Sequence, residues 1–91
     1  DVWMHARGIP GAHVIIRTDS AKGELSEGTL MTAAGIAAYF SKGRTSRKVA
    51  VDYTLRRHVR KPKSARPGMV IYDHEKTIIS APALPASDIR Q

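Results

Sequence analysis

One stretch of this 91-residue chain has the character of an α-helix, and the other apolar runs are short and alternating. Residues 27–40 are rich in Ala and other apolar side chains, Ser26 before them is a favourable N-cap, and Gly43 after them ends the helix. The helix is apolar around much of its circumference, and its small side chains allow close packing. The sequence therefore predicts one helix that lies against a β-sheet.

The first β-rich segments form a hairpin. Residues 1–7 alternate between apolar and polar side chains, and residues 13–17 resume a β-rich run after the turn-forming residues Gly8, Pro10 and Gly11. Two strands separated by such a loop are expected to pair as antiparallel neighbours.

The second half of the chain contains further strands. Residues 49–56 alternate with period two, and a four-residue turn at 73–76 joins the runs 69–72 and 77–80 into a second hairpin. The chain is thus predicted to be α+β, with a mainly antiparallel sheet of about five strands, two hairpins plus one strand, covered by the Ala-rich helix. Residues 1–80 are expected to form a single domain, and residues 81–91 an extended tail.

Positive charge is concentrated in one part of the chain. The full sequence has 15 Lys and Arg residues against 8 Asp and Glu residues, whereas residues 42–66 have ten basic residues and one acid, Asp52, for a net charge of +9. Such a local excess favours a polyanionic partner, in particular nucleic acid. A solvated basic face that only maintains solubility is the alternative. The densest cations are Arg56, Arg57, Arg60, Lys61, Lys63 and Arg66.

Several functional classes are disfavoured by composition. The chain has no cysteine, which excludes a disulfide framework or a thiolate-rich zinc site and favours a cytoplasmic location. No apolar run approaches the ~20 residues that a membrane span needs. Because a chain of 91 residues buries only a modest core, a large enclosed pocket for a small-molecule substrate is not expected. We expect function on the surface, without a cofactor.

A second group of candidate residues lies in the first hairpin. Period-two geometry puts Asp1, Trp3 and His5 on one face of the first strand. His13 and Arg17 share a face of the second strand. If these faces coincide, an indole, two imidazoles and a guanidinium form a patch suited to stacking a base or ribose and to contacting phosphate. A structural role is the alternative, since a single Trp in a small domain is usually a core residue.

The remaining aromatic side chains, Tyr39, Phe40, Tyr53 and Tyr72, fall mostly at expected core positions. Few rings are therefore left to read bases. We expect recognition of nucleic-acid shape and backbone rather than of base sequence.

Asp1, His5 and His13 also define an alternative function, a nucleic-acid-processing enzyme with a metal site. Neither a helical His-pair spacing nor a known ligand motif supports it. The chain has no cysteine nucleophile, and no serine stands in a nucleophile-elbow context. A non-catalytic binding module without a metal is favoured.

The hairpin residues resemble the signature of a known family. Residues 1–5, DVWMH, and residues 9–17, IPGAHVIIR, resemble the D-x-W-x-H and P-G-(S/A)-H-V-x-(I/L) signature of the NFACT RNA-binding domain. Later segments agree, among them the Ala-rich helix, the strand at 51–54 and the Lys61-Pro62 pair. The resemblance extends over residues 1–80.

This family includes the ribosome quality-control factors called NEMF in animals and once labelled fibronectin-binding proteins in bacteria. They bind the obstructed large ribosomal subunit with a tRNA and promote C-terminal tailing of the stalled nascent chain. The resemblance implies a cytoplasmic RNA-binding module for tRNA or large-subunit ribosomal RNA, with the ribosome as partner. The older label implies a further alternative, an adhesion module for an extracellular protein. Family domains begin with another β-rich segment, which residues 1–80 are expected to lack.

The residues expected to contact RNA are two imidazoles and seven cations: His5, His13, Arg17, Arg56, Arg57, Arg60, Lys61, Lys63 and Arg66. Trp3 and Asp1 are expected either to stack on the ligand or to have a structural role. No residue is expected to act in catalysis or to hold a metal.

Overall fold

The computed structural model describes residues 1–18, 25–63 and 70–84. Its elements, in chain order, are strands β1 (Val2–Ala6) and β2 (Val14–Ile16), helix α1 (Glu27–Tyr39), strand β3 (Val49–Leu55), a 3₁₀ turn (Arg56–His58), and strands β4 (Val59–Arg60), β5 (Ile71–Tyr72) and β6 (Lys76–Ser80). The predicted α+β class is confirmed.

The strands form two antiparallel sheets. The main sheet has four strands in the order β2-β1-β3-β6, and β4 and β5 form a small second sheet. The first hairpin is formed as predicted, with Trp3 opposite Ile15. The pairing in the second half differs from the prediction, because β5 pairs with β4 and β6 pairs with β3. The physical reason is length, since β3 offers all five residues of β6 a partner whereas β5 has two residues.

Helix α1 is capped by Ser26, whose side-chain oxygen accepts a hydrogen bond from the Thr29 N–H at 3.1 Å. Its buried positions are small residues: Ala33, Ala34, Gly35, Ala37 and Ala38. Residues 81–84, the described part of the predicted tail, pass over the helix at Gly35, whose carbonyl accepts a hydrogen bond from the Ala83 N–H at 3.1 Å. Among the described residues, no helix is long and apolar enough to cross a membrane.

The core lies between α1 and one face of the main sheet. Its strand residues alternate along β1 and β3: Val2, Met4, Ala6, Val49 and Val51. The intervening side chains therefore lie on the opposite face. That face is also covered, because Trp3 is 2% exposed and Asp52 is 1% exposed. Tyr72 of β5 contacts both of them, so the small sheet packs on the main sheet.

Candidate nucleic-acid interface

Asp52, the one acid in residues 42–66, is buried at the junction of the two sheets. The hydroxyls of Tyr72 and Thr77 each donate a hydrogen bond of 2.7 Å to its carboxylate, and Nε of Arg7 lies 3.8 Å from Oδ2. Burial, followed by the hydrogen bond to Asp52, raises the pKa of Tyr72 to about 12. The Asp52 carboxylate thus holds β5 on the main sheet, and its negative charge is buried rather than exposed at the surface.

The described cations of residues 42–63 are exposed, in contrast to Asp52. We call the residues before β3 the first cation cluster: Lys42, Arg44, Arg47 and Lys48. The second cation cluster follows β3: Arg56, Arg57, Arg60, Lys61 and Lys63. Arg66, also predicted to contact RNA, lies outside the described residues. No ion pair within the described ranges includes a member of either cluster. Their charge is therefore available to a polyanion.

The two cation clusters lie at opposite ends of β3. This strand has seven residues, and at ~3.3 Å per residue it separates the clusters by about 20 Å. One phosphate is too small to contact both clusters. A stacked strand of roughly six nucleotides, at about 3.4 Å each, covers the same distance.

His5 and His13 come together on the face of the first hairpin. Their ring centroids lie 4.9 Å apart in an edge-on arrangement, so the two strand faces coincide. Nε2 of His5 lies 3.2 Å from the carbonyl oxygen of Gly11, a hydrogen-bond contact that ties the ring to the hairpin loop. Partial loss of surrounding water, then the neighbouring His5 and Arg56, lower the pKa of His13. Arg56 is a member of the second cation cluster, so His13 lies close enough to this cluster to be affected by its charge.

The loop of this hairpin is docked on the first cation cluster. The Lys42 N–H donates a hydrogen bond of 2.9 Å to the carbonyl oxygen of Pro10. Gly11 forms an isolated antiparallel bridge with Ser41, and a Cβ at Gly11 would lie 2.9 Å from the Ser41 Cα. Glycine therefore permits the close backbone contact that ties the hairpin loop to the start of the first cation cluster.

Trp3 lies beneath the histidines rather than on the surface. Its indole stacks on His5 at 5.9 Å between centroids, meets His13 edge-on at 5.2 Å and contacts Tyr72 at 4.6 Å. Because the residue is 2% exposed, neither face of the indole is open to a base. Trp3 supports the positions of the two imidazoles.

Asp1 and Arg17 are exposed at the end of the main sheet that adjoins the second cation cluster. The Asp1 carbonyl accepts a hydrogen bond from the Arg56 N–H at 2.8 Å. The alternative metal site is not assembled, because four residue steps of extended strand separate the Cα atoms of Asp1 and His5 by about 13 Å. In the described part of the chain, Asp1, His5 and His13 do not form a group with ligand atoms within 4.8 Å of one another.

Phe40 is a candidate contact from the group of aromatic residues that were expected mostly at core positions. It is 53% exposed at the end of α1, and its ring meets that of Tyr39 edge-on at 5.1 Å. The Arg44 guanidinium lies 4.4 Å from the centroid of the Tyr39 ring. Exposed aromatic faces beside cations bind unpaired bases. The sequence signal for this role is that Phe40 lies two residues before Lys42, the start of the first cation cluster.

Comparisons with known proteins identify relatives that are longer than this chain. No family model matches. The chain is 51% identical over 82 residues to the Rqc2 homolog RqcH of Bacillus subtilis and 40% identical over 82 residues to that of Streptococcus pneumoniae. Each match covers 90% of this chain and 14% of the relative, so the chain spans about a seventh of the length of these relatives.

A solved structure shares the fold. The C-terminal part of the fibronectin/fibrinogen-binding protein from Streptococcus suis matches with a TM-score of 0.82 and 39% sequence identity. The match covers 98% of this chain and 34% of that chain. The similarity thus includes nearly every residue here.

Proposed function

We infer that this chain is a non-catalytic RNA-binding module of ribosome quality control. It is homologous to one segment of the RqcH proteins, and this homology agrees with its resemblance to the NFACT RNA-binding domain. Its ligand is tRNA, large-subunit ribosomal RNA, or both where they meet on the ribosome, and its location is the cytoplasm. The observation that carries the proposal is the pair of exposed cation clusters at the two ends of β3, with the acid between them buried.

The cation clusters supply the affinity in this proposal. Lys and Arg side chains release counterions when they neutralise phosphates, and such contacts orient a protein on nucleic acid without reading the base sequence. Exposed Arg57, Arg60 and Lys61 lie in and just after the 3₁₀ turn and β4, a short and regular framework. Arg17 extends the same surface across the end of the main sheet.

The histidine pair and Phe40 supply contacts to nucleosides. His5 and His13 present ring nitrogens to a base edge, a ribose hydroxyl or a phosphate oxygen. Phe40 offers an open ring face at the first cation cluster, where an unpaired base can stack. These contacts favour a structured RNA with unpaired nucleotides over a uniform duplex, whose bases are stacked inside the helix.

The salt dependence of tRNA binding tests the proposal. Wild-type affinity is expected to fall steeply between about 50 and 200 mM salt. The Arg57→Gln/Arg60→Gln/Lys61→Gln variant is expected to bind more weakly at low salt, and its slope of log K against log salt to be smaller by about 2–3, since each lost phosphate contact removes about 0.7–0.9.

Lys76→Gln is the matched control, because Lys76 is an exposed cation outside both clusters. This variant is expected to change the slope of log K against log salt by less than the 0.7–0.9, roughly, that the loss of one phosphate contact causes. Salt-insensitive tRNA binding by the wild type, or a triple variant that binds like Lys76→Gln, would contradict the proposal.

The same samples separate the two alternative functions. Metal-dependent cleavage of labelled tRNA by the wild type would support the enzyme. The solved relative is described as a fibronectin/fibrinogen-binding protein. Fibronectin binding that the triple variant leaves unchanged, together with no tRNA binding, would support the adhesion module.

A further inference from the structure

Three metal-ligating side chains converge beside the second cation cluster. Nδ1 of His74 lies 2.9 Å from Oδ1 of Asp73, and Nδ1 of His58 lies 3.6 Å from the same oxygen. One ligand atom from each residue lies within 4.8 Å of the other two. Among the described residues, no other group of three His, Asp or Glu side chains has its ligand atoms within 4.8 Å of one another.

The backbone that carries these side chains is held by the pairing of β4 with β5. Val59 lies opposite Tyr72, so that residues 58 and 73 are brought together although they are far apart in the sequence. The Asp73 N–H donates a hydrogen bond of 3.4 Å to the His58 carbonyl, and the Asp73 carbonyl accepts one of 2.9 Å from the Thr54 hydroxyl. Asp73 is thereby tied both to the 3₁₀ turn and to the main sheet.

His74 has an unfavourable backbone conformation. Its φ is 56°, in the left-handed region, and it is the non-glycine residue with a positive φ in the described part of the chain. Such a conformation costs an L-residue stability, and at an exposed position no burial compensates for it. In this conformation the His74 ring stacks on His58, with 4.4 Å between the ring centroids. Strain of this kind is often retained where a side chain must be held for binding.

Two imidazoles and one carboxylate match the preferences of a divalent transition metal ion. In a tetrahedral Zn²⁺ site, bonds of about 2.0–2.2 Å place the ligand atoms about 3.3 Å apart. The two distances to Asp73, 2.9 and 3.6 Å, bracket this spacing. All three side chains retain solvent exposure, which leaves them room to rotate toward a shared ion.

We propose that His58, Asp73 and His74 form a binding site for a divalent transition metal ion, Zn²⁺ in the first place. Three protein ligands leave the fourth tetrahedral position open to water or to an anion. The site is separate from the Asp1, His5 and His13 set considered from the sequence, and it does not depend on RNA binding. Bound metal would join the 3₁₀ turn to the turn after β5 and hold the small sheet closed.

Calorimetric titration of the chain with Zn²⁺ alone tests the site. We expect one equivalent to bind to the wild type. His74→Asn removes the imidazole and keeps a residue that tolerates the left-handed conformation, so its affinity is expected to fall at least about tenfold without a backbone penalty. Asp73→Asn removes the anionic ligand and is expected to have a similar effect.

His13→Asn is the matched control, because His13 belongs to the other histidine pair, which lacks a carboxylate in the group. Its Zn²⁺ affinity is expected to stay within about twofold of the wild type. As a second measurement, Zn²⁺ is expected to raise the Tm of the wild type and of His13→Asn but not of His74→Asn. The proposal is wrong if the wild type does not bind one equivalent, or if His74→Asn and His13→Asn bind alike.

Discussion

At the scale of single residues, the burial of Asp52 explains how residues 42–63 can present so much positive charge at the surface. A carboxylate on the surface of β3 would pair with the nearby cations and reduce the field that a polyanion meets. Asp52 instead lies under the small sheet, where Tyr72 and Thr77 satisfy its oxygens. The cost of burying the charge is offset by these hydrogen bonds, and the same hydrogen bonds attach β5 and β6 to the centre of the sheet.

Tyr72→Phe tests this role of the carboxylate. The variant keeps the ring that packs on Trp3 and loses the hydroxyl that donates to Asp52. We expect the free energy of unfolding to fall by about 1–2 kcal/mol, measured by denaturant unfolding at neutral pH. Tyr53→Phe is the control, since the Tyr53 hydroxyl makes no hydrogen bond with the described residues.

The same variant has a pH signature. The phenol of Tyr72 loses its proton near pH 10 in the unfolded chain and near pH 12 in the folded protein. Its contribution to stability is therefore complete below pH 10 and is lost as the pH rises from 10 to 12. The wild type is expected to lose stability over this range more steeply than Tyr72→Phe. Equal slopes for the two proteins would contradict the assignment.

Phe40→Ala tests the exposed ring at the end of α1. Because a stacked base contributes about 1–3 kcal/mol, we expect the variant to bind RNA with unpaired nucleotides roughly 5-fold to 150-fold more weakly. Its stability is expected to change little, since the ring is 53% exposed. Ile79→Ala is the control at 54% exposure, on β6 and outside the cation clusters. Equal RNA binding by both variants would show that Phe40 does not contact the RNA.

At the scale of elements, the glycines of the chain differ sharply in what they permit. Gly11 lies against the backbone of Ser41, where an added Cβ would come within 2.9 Å of Cα, whereas Gly28 in the first turn of α1 has nothing within 4 Å of an added Cβ. The first glycine is required by the contact between the hairpin loop and the first cation cluster. The second only lowers the intrinsic stability of the helix.

Gly11→Ala and Gly28→Ala therefore form a matched pair. We expect Gly11→Ala to lower the free energy of unfolding by about 1–3 kcal/mol, because the loop must move away from Ser41. Gly28→Ala is expected to raise it by about 0.5 kcal/mol through the lower entropy of the unfolded chain. Denaturant unfolding measures both changes. If Gly11→Ala is as stable as the wild type, the hairpin loop is not docked as described.

At the scale of the whole molecule, the distance between the two cation clusters decides the kind of ligand that gains from both. A separation of about 20 Å along β3 suits an extended or folded RNA, and a mononucleotide can reach only one cluster. The hairpin loop is tied to Lys42 of the first cluster, and His13 of the same hairpin lies near Arg56 of the second.

Combined charge variants test this arrangement. Arg44→Gln/Arg47→Gln removes cations of the first cluster, and Arg57→Gln/Arg60→Gln removes cations of the second. Because the clusters are far apart, their losses in tRNA binding free energy are expected to add within about 0.5 kcal/mol in the combined variant. For either pair of substitutions, the loss of binding free energy is expected to be smaller for a four-nucleotide RNA than for tRNA. A combined variant no weaker than one of the pairs would show that tRNA uses a single cluster.

Local chemistry was enough to predict the helix and the first hairpin. The boundaries of α1 follow from Ser26 and an Ala-rich run, and β1 and β2 follow from alternation around a Gly and Pro loop. These signals act between residues close in sequence, so the amino-acid order by itself determined them. The excess of cations over acids in residues 42–66 is likewise a property of composition.

Only the tertiary structure decided which distant segments meet. The pairing of β6 with β3 depends on which strand edge is free, and that pairing separates β6 from β5. The burial of Trp3, the exposure of Phe40 and the approach of His58 to His74 depend in turn on these pairings. Period-two alternation assigns side chains to two faces but does not say what covers each face. That information arises only when the sheet is assembled, because burial is a property of the packed layers.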